Sequence, residues 1–191
     1  MLLVVLPVAL GVSLFGVSFG IVAGDAGMPA WQAVLMSATV FAGSAQFAAA
    51  SVLADGGGAL TAVLAGAVLN TRYLATGAAS AGALPGGRLG RVLLAQLVVD
   101  ESFALAVRAG DDGRPNRRTL LVSGLVLWCG WVGGTVVGVV AGDLVGDPSR
   151  AVLSAAFATL FLVLLWPMVR DDRGNRLPAV VGAVVGLALA L

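Results

Sequence analysis

The feature that most constrains the fold is a series of apolar runs, most of them about 20 residues long, separated by short polar loops. A helix of that length crosses the roughly 30 Å of hydrocarbon in a lipid bilayer. Charged residues make up only 11% of the chain, against about a quarter in an ordinary soluble domain. The sequence therefore predicts an all-α fold, a polytopic transmembrane helical bundle that forms a single transmembrane domain over residues 1–191.

About seven segments divide this bundle. The first begins almost at Met1 with no basic stretch before it, which favours a permanent span over a cleaved signal peptide. The last has 15 residues and is short for a span. The segments run from about 2 to 24, 31 to 54, 60 to 84, 89 to 109, 120 to 142, 151 to 169 and 177 to 191.

Arginines in the short loops predict the orientation of the bundle. If all seven segments cross, seven arginines lie on the side of the N-terminus and three lie on the other side. Cytoplasmic loops of membrane proteins carry the excess of positive charge. We therefore expect a multi-pass protein with a cytoplasmic N-terminus.

An internal repeat of three-helix units is also predicted, with halves at about 1–84 and 120–191 and a linker segment at about 89–109. The halves are parallel if the linker segment crosses the membrane and inverted if it does not. Gly16 and Gly20 form a small-residue seam that allows another helix to approach closely. The matches, at an offset of 117 or 118 residues, are 22–25 with 140–143, 33–35 with 151–153, 60–69 with 177–186, and Gly16 and Gly20 with Gly134 and Gly138.

Four polar residues lie within the apolar runs of segments three and four. Asn70 and Arg72 occur in LNTRYLA, and Asp100 and Glu101 occur in QLVVDESFAL. A charge at the bilayer centre costs about 2.5–3.5 kcal/mol, so such residues are commonly paired and functional. Consecutive segments run antiparallel, which places Arg72 and Asp100 at similar depth, where they could pair. The other carboxylate would then be unpaired and available to bind a proton. Gln96, four residues before Asp100, is predicted to share a helix face with it.

Segment two contains FAGSAQFAA, in which Gly43, Ser44 and Gln46 lie in apolar surroundings. Small residues beside a glutamine suit two arrangements. One is a tight helix crossing. The other is an interrupted helix, whose exposed backbone ends can bind the carboxylate or ammonium group of an amino acid.

Several classes of function are disfavoured by what the sequence contains. It has no histidine and one cysteine, Cys129, so the usual metal ligands and catalytic pairs of enzymes are missing. A net charge of +1 does not favour nucleic acid, and no phosphate-binding glycine loop is present. We expect no enzyme activity, no catalytic residues, no metal and no cofactor.

Taken together, FAGSAQFAA at 41–49, Asn70-x-Arg72 and DESFAL at 100–105 resemble the AzlC-type large subunit of branched-chain amino-acid exporters, the LIV-E family. The resemblance implies ion-driven export of valine, leucine and isoleucine, with methionine as a further candidate, across the bacterial cytoplasmic membrane. It also implies a small hydrophobic second membrane subunit of the AzlD type. The residues that match the family motifs, and so the expected substrate-binding residues, are Gly43, Ser44, Gln46, Asn70, Arg72, Asp100 and Glu101.

Two departures from the family pattern matter. Tyr73 stands where the family commonly has histidine, and Thr76 stands where an aromatic residue or methionine is common. Proton coupling is therefore assigned to Asp100 or Glu101. Family members also usually continue past Leu191. The alternative function is a non-transporting membrane subunit whose buried charges serve helix packing and partner docking.

Overall fold

The computed structural model describes residues 2–111 and 114–144 of the chain. Within these residues the polypeptide forms α-helices and no β-strand, which confirms the all-α prediction. Segments six and seven, and with them most of the second half of the predicted repeat, lie outside the described residues. The helices are α1 (Leu2–Asp25), α2 (Ala30–Val40), α3 (Gly43–Ala54), α4 (Ala59–Asn70), α5 (Tyr73–Ser80), α6 (Arg88–Ala95), α7 (Asp100–Arg108) and α8 (Arg117–Leu144).

Two of these helices, α1 and α8, are long and apolar enough to cross a bilayer. They have 24 and 28 residues and match the predicted segments one and five closely. The predicted bundle of seven spans extends beyond the described residues and stays a prediction.

The glycine seams lie where α1 and α8 pack together. A Cβ atom at Gly16 or Gly20 would collide with the carbonyl oxygen of Trp131 or Thr135, respectively. The same holds for Gly134 and Gly138 against the carbonyl oxygens of Ser13 and Val17. Positions in contact advance in the same direction along both helices, so α1 and α8 run parallel. The contacting residues are 115 or 121 positions apart, symmetrically about the offset of 118, as expected if the two helices are related by a two-fold axis.

An aromatic cluster joins this helix pair to α3. The rings of Phe19 and Trp131 are stacked with their centroids 6.1 Å apart. Phe47 meets both rings edge-on, at 5.7 Å from Phe19 and 6.4 Å from Trp131. Edge-to-face and offset arrangements are those that aromatic rings favour. The cluster holds the N-terminal half of α3 beside the C-terminal half of α1.

Segments two, three and four are each interrupted. An interrupted helix was one of the two arrangements considered for segment two, whereas the prediction of segments three and four as unbroken spans is wrong. Segment two breaks after Val40, where Phe41 adopts the left-handed conformation with φ 44°. Segment three breaks at a turn formed by Thr71 and Arg72, and segment four breaks at residues 96–99. Length and apolarity do not reveal such breaks, because a broken helix buries the same side chains as a continuous one.

At two of the breaks the chain turns back. Met28, before α2, lines the same cavity of about 320 Å³ as Leu53 near the end of α3. In a straight helix the two residues would be about 38 Å apart. Leu84, before α6, likewise belongs to one apolar cluster with Ala106 of α7, where a straight helix would separate them by about 33 Å. The chain therefore folds back within segments two and four, and the pairs α2–α3 and α6–α7 are called hairpins below.

The hairpins change one of the arguments made from the sequence. The count of loop arginines assumed that segments two and four cross the membrane. A hairpin instead returns to the side from which it started, so the loops after segments two and three change side in that count. The predicted three-helix repeat stays a prediction, because most of its second half lies outside the described residues. Helices α6, α7 and α8 begin 58, 57 and 58 residues after α2, α3 and α4, respectively. Helix starts in the described chain therefore recur at about half the predicted offset.

Candidate functional site

The tips of the two hairpins are joined by hydrogen bonds. The Nε2 atom of Gln96 donates to the carbonyl oxygen of Thr39 at 2.7 Å and to that of Ala38 at 3.4 Å. The indole nitrogen of Trp128 also donates to the carbonyl oxygen of Ala38, at 3.0 Å. The last carbonyl groups of a helix have no partner within it. Gln96 and Trp128 supply these partners for α2.

Gln96 does not share a helix face with Asp100, contrary to the prediction. Helix α6 ends at Ala95 and α7 starts at Asp100, so Gln96 lies in the break between them. Ser102, which the sequence did not single out, shapes this break. Its Oγ atom accepts from the backbone N–H of Val99 at 3.0 Å and donates to the carbonyl oxygen of Leu97 at 2.8 Å.

Gln46 closes the break in segment two. Its side chain is 0% exposed. The Oε1 atom accepts from the backbone N–H of Ala42 at 3.2 Å and from the indole nitrogen of Trp131 at 3.1 Å. The Nε2 atom donates to the Oγ atom of Ser37 at 3.0 Å, and this hydroxyl is 2.8 Å from that of Thr135. In this structure the amide that was predicted to bind substrate is engaged by the protein itself.

Gly43 and Ser44 begin α3, directly after the break. A Cβ atom at Gly43 would lie 2.9 Å from the Cη2 atom of Trp131, so the position admits little more than glycine. Ser44 is exposed. The two arrangements considered for this motif, a tight crossing and an interrupted helix, therefore occur together.

Arg72 and Asp100 form the predicted ion pair, with 3.0 Å between Nη1 and Oδ2. Arg72 lies in the turn between α4 and α5, and Asp100 is the first residue of α7. Arg72 also stacks over the ring of Tyr73 at 4.9 Å and donates to its hydroxyl at 3.1 Å. The two charged side chains are 45% and 44% exposed, so one side of the pair is open.

Glu101 follows Asp100 in the first turn of α7 and is exposed. Two acids in a first turn are favourable there, because the N-terminal end of a helix carries partial positive charge. The first turn of α3, in contrast, contains no acidic residue.

An apolar cavity of about 320 Å³ lies between α2, α3 and α4. Small residues on facing sides of α3 and α4 create it, and the two helices approach closely where Gly66 meets the backbone of Ala45. The cavity was not predicted from the sequence, although the alanines and the glycine on these helices indicated that space could be left between them. Its lining consists of Met28, Met36, Val40, Ala45, Ala49, Leu53, Ala59, Ala62, Val63, Gly66, Ala67 and Asn70.

Asn70 is the polar member of this lining. Its Oδ1 atom is buried and has no hydrogen-bond partner among the described residues. Arg72 follows two positions later, in the turn that starts where α4 ends. A cation, an anion and an amide oxygen thus lie at the breaks, and the amide oxygen belongs to an apolar cavity.

The described part of the chain contains no cluster of three or more Cys, Asp or Glu side chains that could hold a metal ion. Of the expected site residues, the structure brings Arg72 and Asp100 into contact and places Asn70 in the cavity. It places Gln46 and Gly43 against Trp131, in the packed interior.

Comparison with known proteins gives the family. Residues 7–145 match the model of the AzlC protein family. A protein of Archaeoglobus fulgidus described as an uncharacterized membrane protein is 34% identical over 178 residues, which cover 91% of this chain and 76% of that protein. No solved structure matches the chain. The chain is therefore a membrane protein of the AzlC family, which is related to transport.

Proposed function

We propose that the chain is the transporting subunit of a secondary transporter that exports valine, leucine and isoleucine across the bacterial cytoplasmic membrane. The observation that carries this proposal is the half-open Arg72–Asp100 pair, which bridges two helix breaks beside an apolar cavity. Transporters commonly bind substrates where helices are interrupted, because freed backbone ends and charged side chains meet there.

A zwitterion fits this pair without a change in net charge. In its absence Arg72 and Asp100 neutralise each other across 3.0 Å. An amino acid brings one carboxylate and one ammonium group, so its carboxylate can pair with Arg72 and its ammonium with Asp100. The N-terminal end of α3, with the Ser44 hydroxyl and no acid in its first turn, is a further favourable position for the carboxylate.

Coupling to an ion gradient is assigned to the carboxylates. The chain contains no histidine, and Asp100 and Glu101 are the acids at the break that faces Arg72. A proton bound at Asp100 would remove the charge that holds Arg72, and the two breaks could then separate. The proposal includes a small hydrophobic second membrane subunit, as in AzlD-type partners.

Counterflow of labelled valine, leucine and methionine in proteoliposomes tests this function, with and without the product of a short hydrophobic neighbouring reading frame. Wild-type protein should exchange the label. Arg72→Gln and Asp100→Asn should each abolish exchange at normal membrane level. Arg91→Gln, an exposed arginine of α6, is the matched control and should exchange normally. Full activity of both site variants would refute the proposal.

A charge swap separates transport from the alternative, a subunit whose charges only join helices. The double variant Arg72→Asp with Asp100→Arg restores an ion pair but reverses its polarity relative to the apolar cavity. The proposed transporter should regain thermal stability in this variant and still fail to exchange label. If the pair is purely structural, the charge-swap variant should recover both thermal stability and co-purification with the partner. In that case the wild-type protein should not exchange label either.

A further inference from the structure

The cavity between α2, α3 and α4 has the size and chemistry of a pocket for one aliphatic side chain. Its volume of about 320 Å³ is at the lower end of the range for small-molecule sites, about 300–1,000 Å³. Most of the residues that line it from α3 and α4 are alanine or glycine. Met36 and Leu53 contribute larger side chains to the lining. Such a pocket can accept a branched aliphatic side chain, and its apolar lining offers that side chain no hydrogen bond.

The one polar side chain of the lining, that of Asn70, has an oxygen without a hydrogen-bond donor among the described residues. This oxygen, Oδ1, is also buried. A buried acceptor without a donor costs free energy, so native proteins rarely retain one without a reason. An ammonium group is a strong donor, and Asn70 is two positions from the arginine that would hold the carboxylate of the same molecule.

We propose that this cavity is the subsite for the substrate's side chain, that Asn70 Oδ1 accepts a hydrogen bond from its ammonium group, and that Ala62 and Met36 set the accepted side-chain length. This inference rests on the proposed function and adds what the ion pair alone does not determine, namely selection by size. Ala62 is 4% exposed and lies on the α4 wall. Met36 lines the cavity from α2, and its neighbour Ser37 is bonded to Gln46 in the N-terminal half of α3, the half that lies nearer Asn70.

Two substitutions with opposite effects test the size selection. Ala62→Leu fills the cavity and should lower leucine exchange relative to alanine exchange by about tenfold or more, since one methylene group in an apolar pocket discriminates by roughly 10–200-fold. Met36→Ala enlarges the cavity and should raise methionine exchange relative to valine exchange. Ala65→Leu, on α4 but outside the cavity lining, should leave both ratios unchanged. A general loss of folding lowers all substrates together and cannot move the two ratios in opposite directions. Unchanged ratios in both variants would overturn the assignment.

A substrate analogue tests Asn70. Isocaproate has the side chain and carboxylate of leucine but no ammonium group. Leucine should compete with labelled leucine much better than isocaproate does in the wild type. Asn70→Leu, similar in size but without the acceptor, should narrow this gap by about tenfold to a hundredfold, the range for a lost hydrogen bond to a charged group. A structural role for Asn70 would leave the gap unchanged, and that result would refute the ammonium contact.

Protection from labelling tests the pocket without any transport step. In a Cys129→Ala background, Ala62→Cys and Ala65→Cys are labelled with N-ethylmaleimide in the full-length protein. Leucine should slow labelling at position 62 and not at position 65, and glycine should protect neither. Protection at position 62 without counterflow would leave the subsite standing and refute the proposed transport. Equal labelling with and without leucine would refute the subsite.

Discussion

Substitution of Gln46 by methionine should destabilise the protein more than any other single loss of a polar side chain around the break in segment two. Methionine has a similar length and keeps the apolar packing. It removes the acceptor of the Ala42 N–H and of the Trp131 indole N–H, and the donor to Ser37 Oγ. All of these groups are buried, so water cannot replace the lost partners.

The loss of stability in Gln46→Met follows from the hydrogen bonds that this residue makes. Two buried donors lose their acceptor, and each orphaned group costs about 1–3 kcal/mol, which makes about 2–6 kcal/mol in total. Measured hydrogen bonds inside membrane proteins average about 0.6 kcal/mol, and three of them give about 2 kcal/mol, the lower end of that range. For a chain of this size 1 kcal/mol corresponds to about 2–4 °C. The expected fall in Tm is therefore roughly 5–20 °C.

Thermal unfolding of the purified protein in detergent, followed by the loss of the monodisperse size-exclusion peak, measures this change. Gln32→Met is the matched control, because Gln32 lies in the same hairpin and is exposed. Its Tm should stay within about 2 °C of the wild type, as for other surface substitutions. A Gln46→Met variant as stable as this control would show that the network does not hold the break closed.

Three further predictions concern the helix contacts and use the same unfolding assay. Gly20→Leu should lower the Tm strongly because its Cβ atom meets the backbone of α8, whereas Gly24→Leu, with no atom within 4 Å of the added Cβ, should not; equal Tm values would contradict the close packing. Ser102→Ala should cost about 1 kcal/mol, because it removes the acceptor of the Val99 N–H and the donor to the Leu97 carbonyl oxygen at the start of α7, and an unchanged Tm would refute that role. Gly43→Ala should be destabilising because its methyl group meets the ring of Trp131. Trp131→Phe should relieve the added cost, and strictly additive losses would contradict this contact.

Part of the site could be predicted because the relevant constraints are local or follow from one pairing rule. The Arg72–Asp100 pair is such a case. A charge in an apolar run needs a counter-charge, and the neighbouring segment supplies one at Asp100 although both segments are broken. The role of Gln46 was not predictable in this way. Its partners Ser37 and Trp131 come from another helix and from a residue 85 positions away.

The sequence by itself determined the all-helical fold and the glycine seam of α1, and it placed Arg72 and Asp100 where they could pair. Each depends on composition, on spacing along one helix, or on the cost of an isolated charge in an apolar segment. Only the tertiary structure decided that segments two and four turn back as hairpins and that segment three breaks at Arg72. Apolar side chains are buried equally well by a straight or a broken helix. The difference lies in which distant side chains satisfy the freed backbone groups, as Gln96 and Trp128 do for α2. The cavity beside Asn70 was decided in the same way, because its volume depends on the distance between helices and not on any one of them.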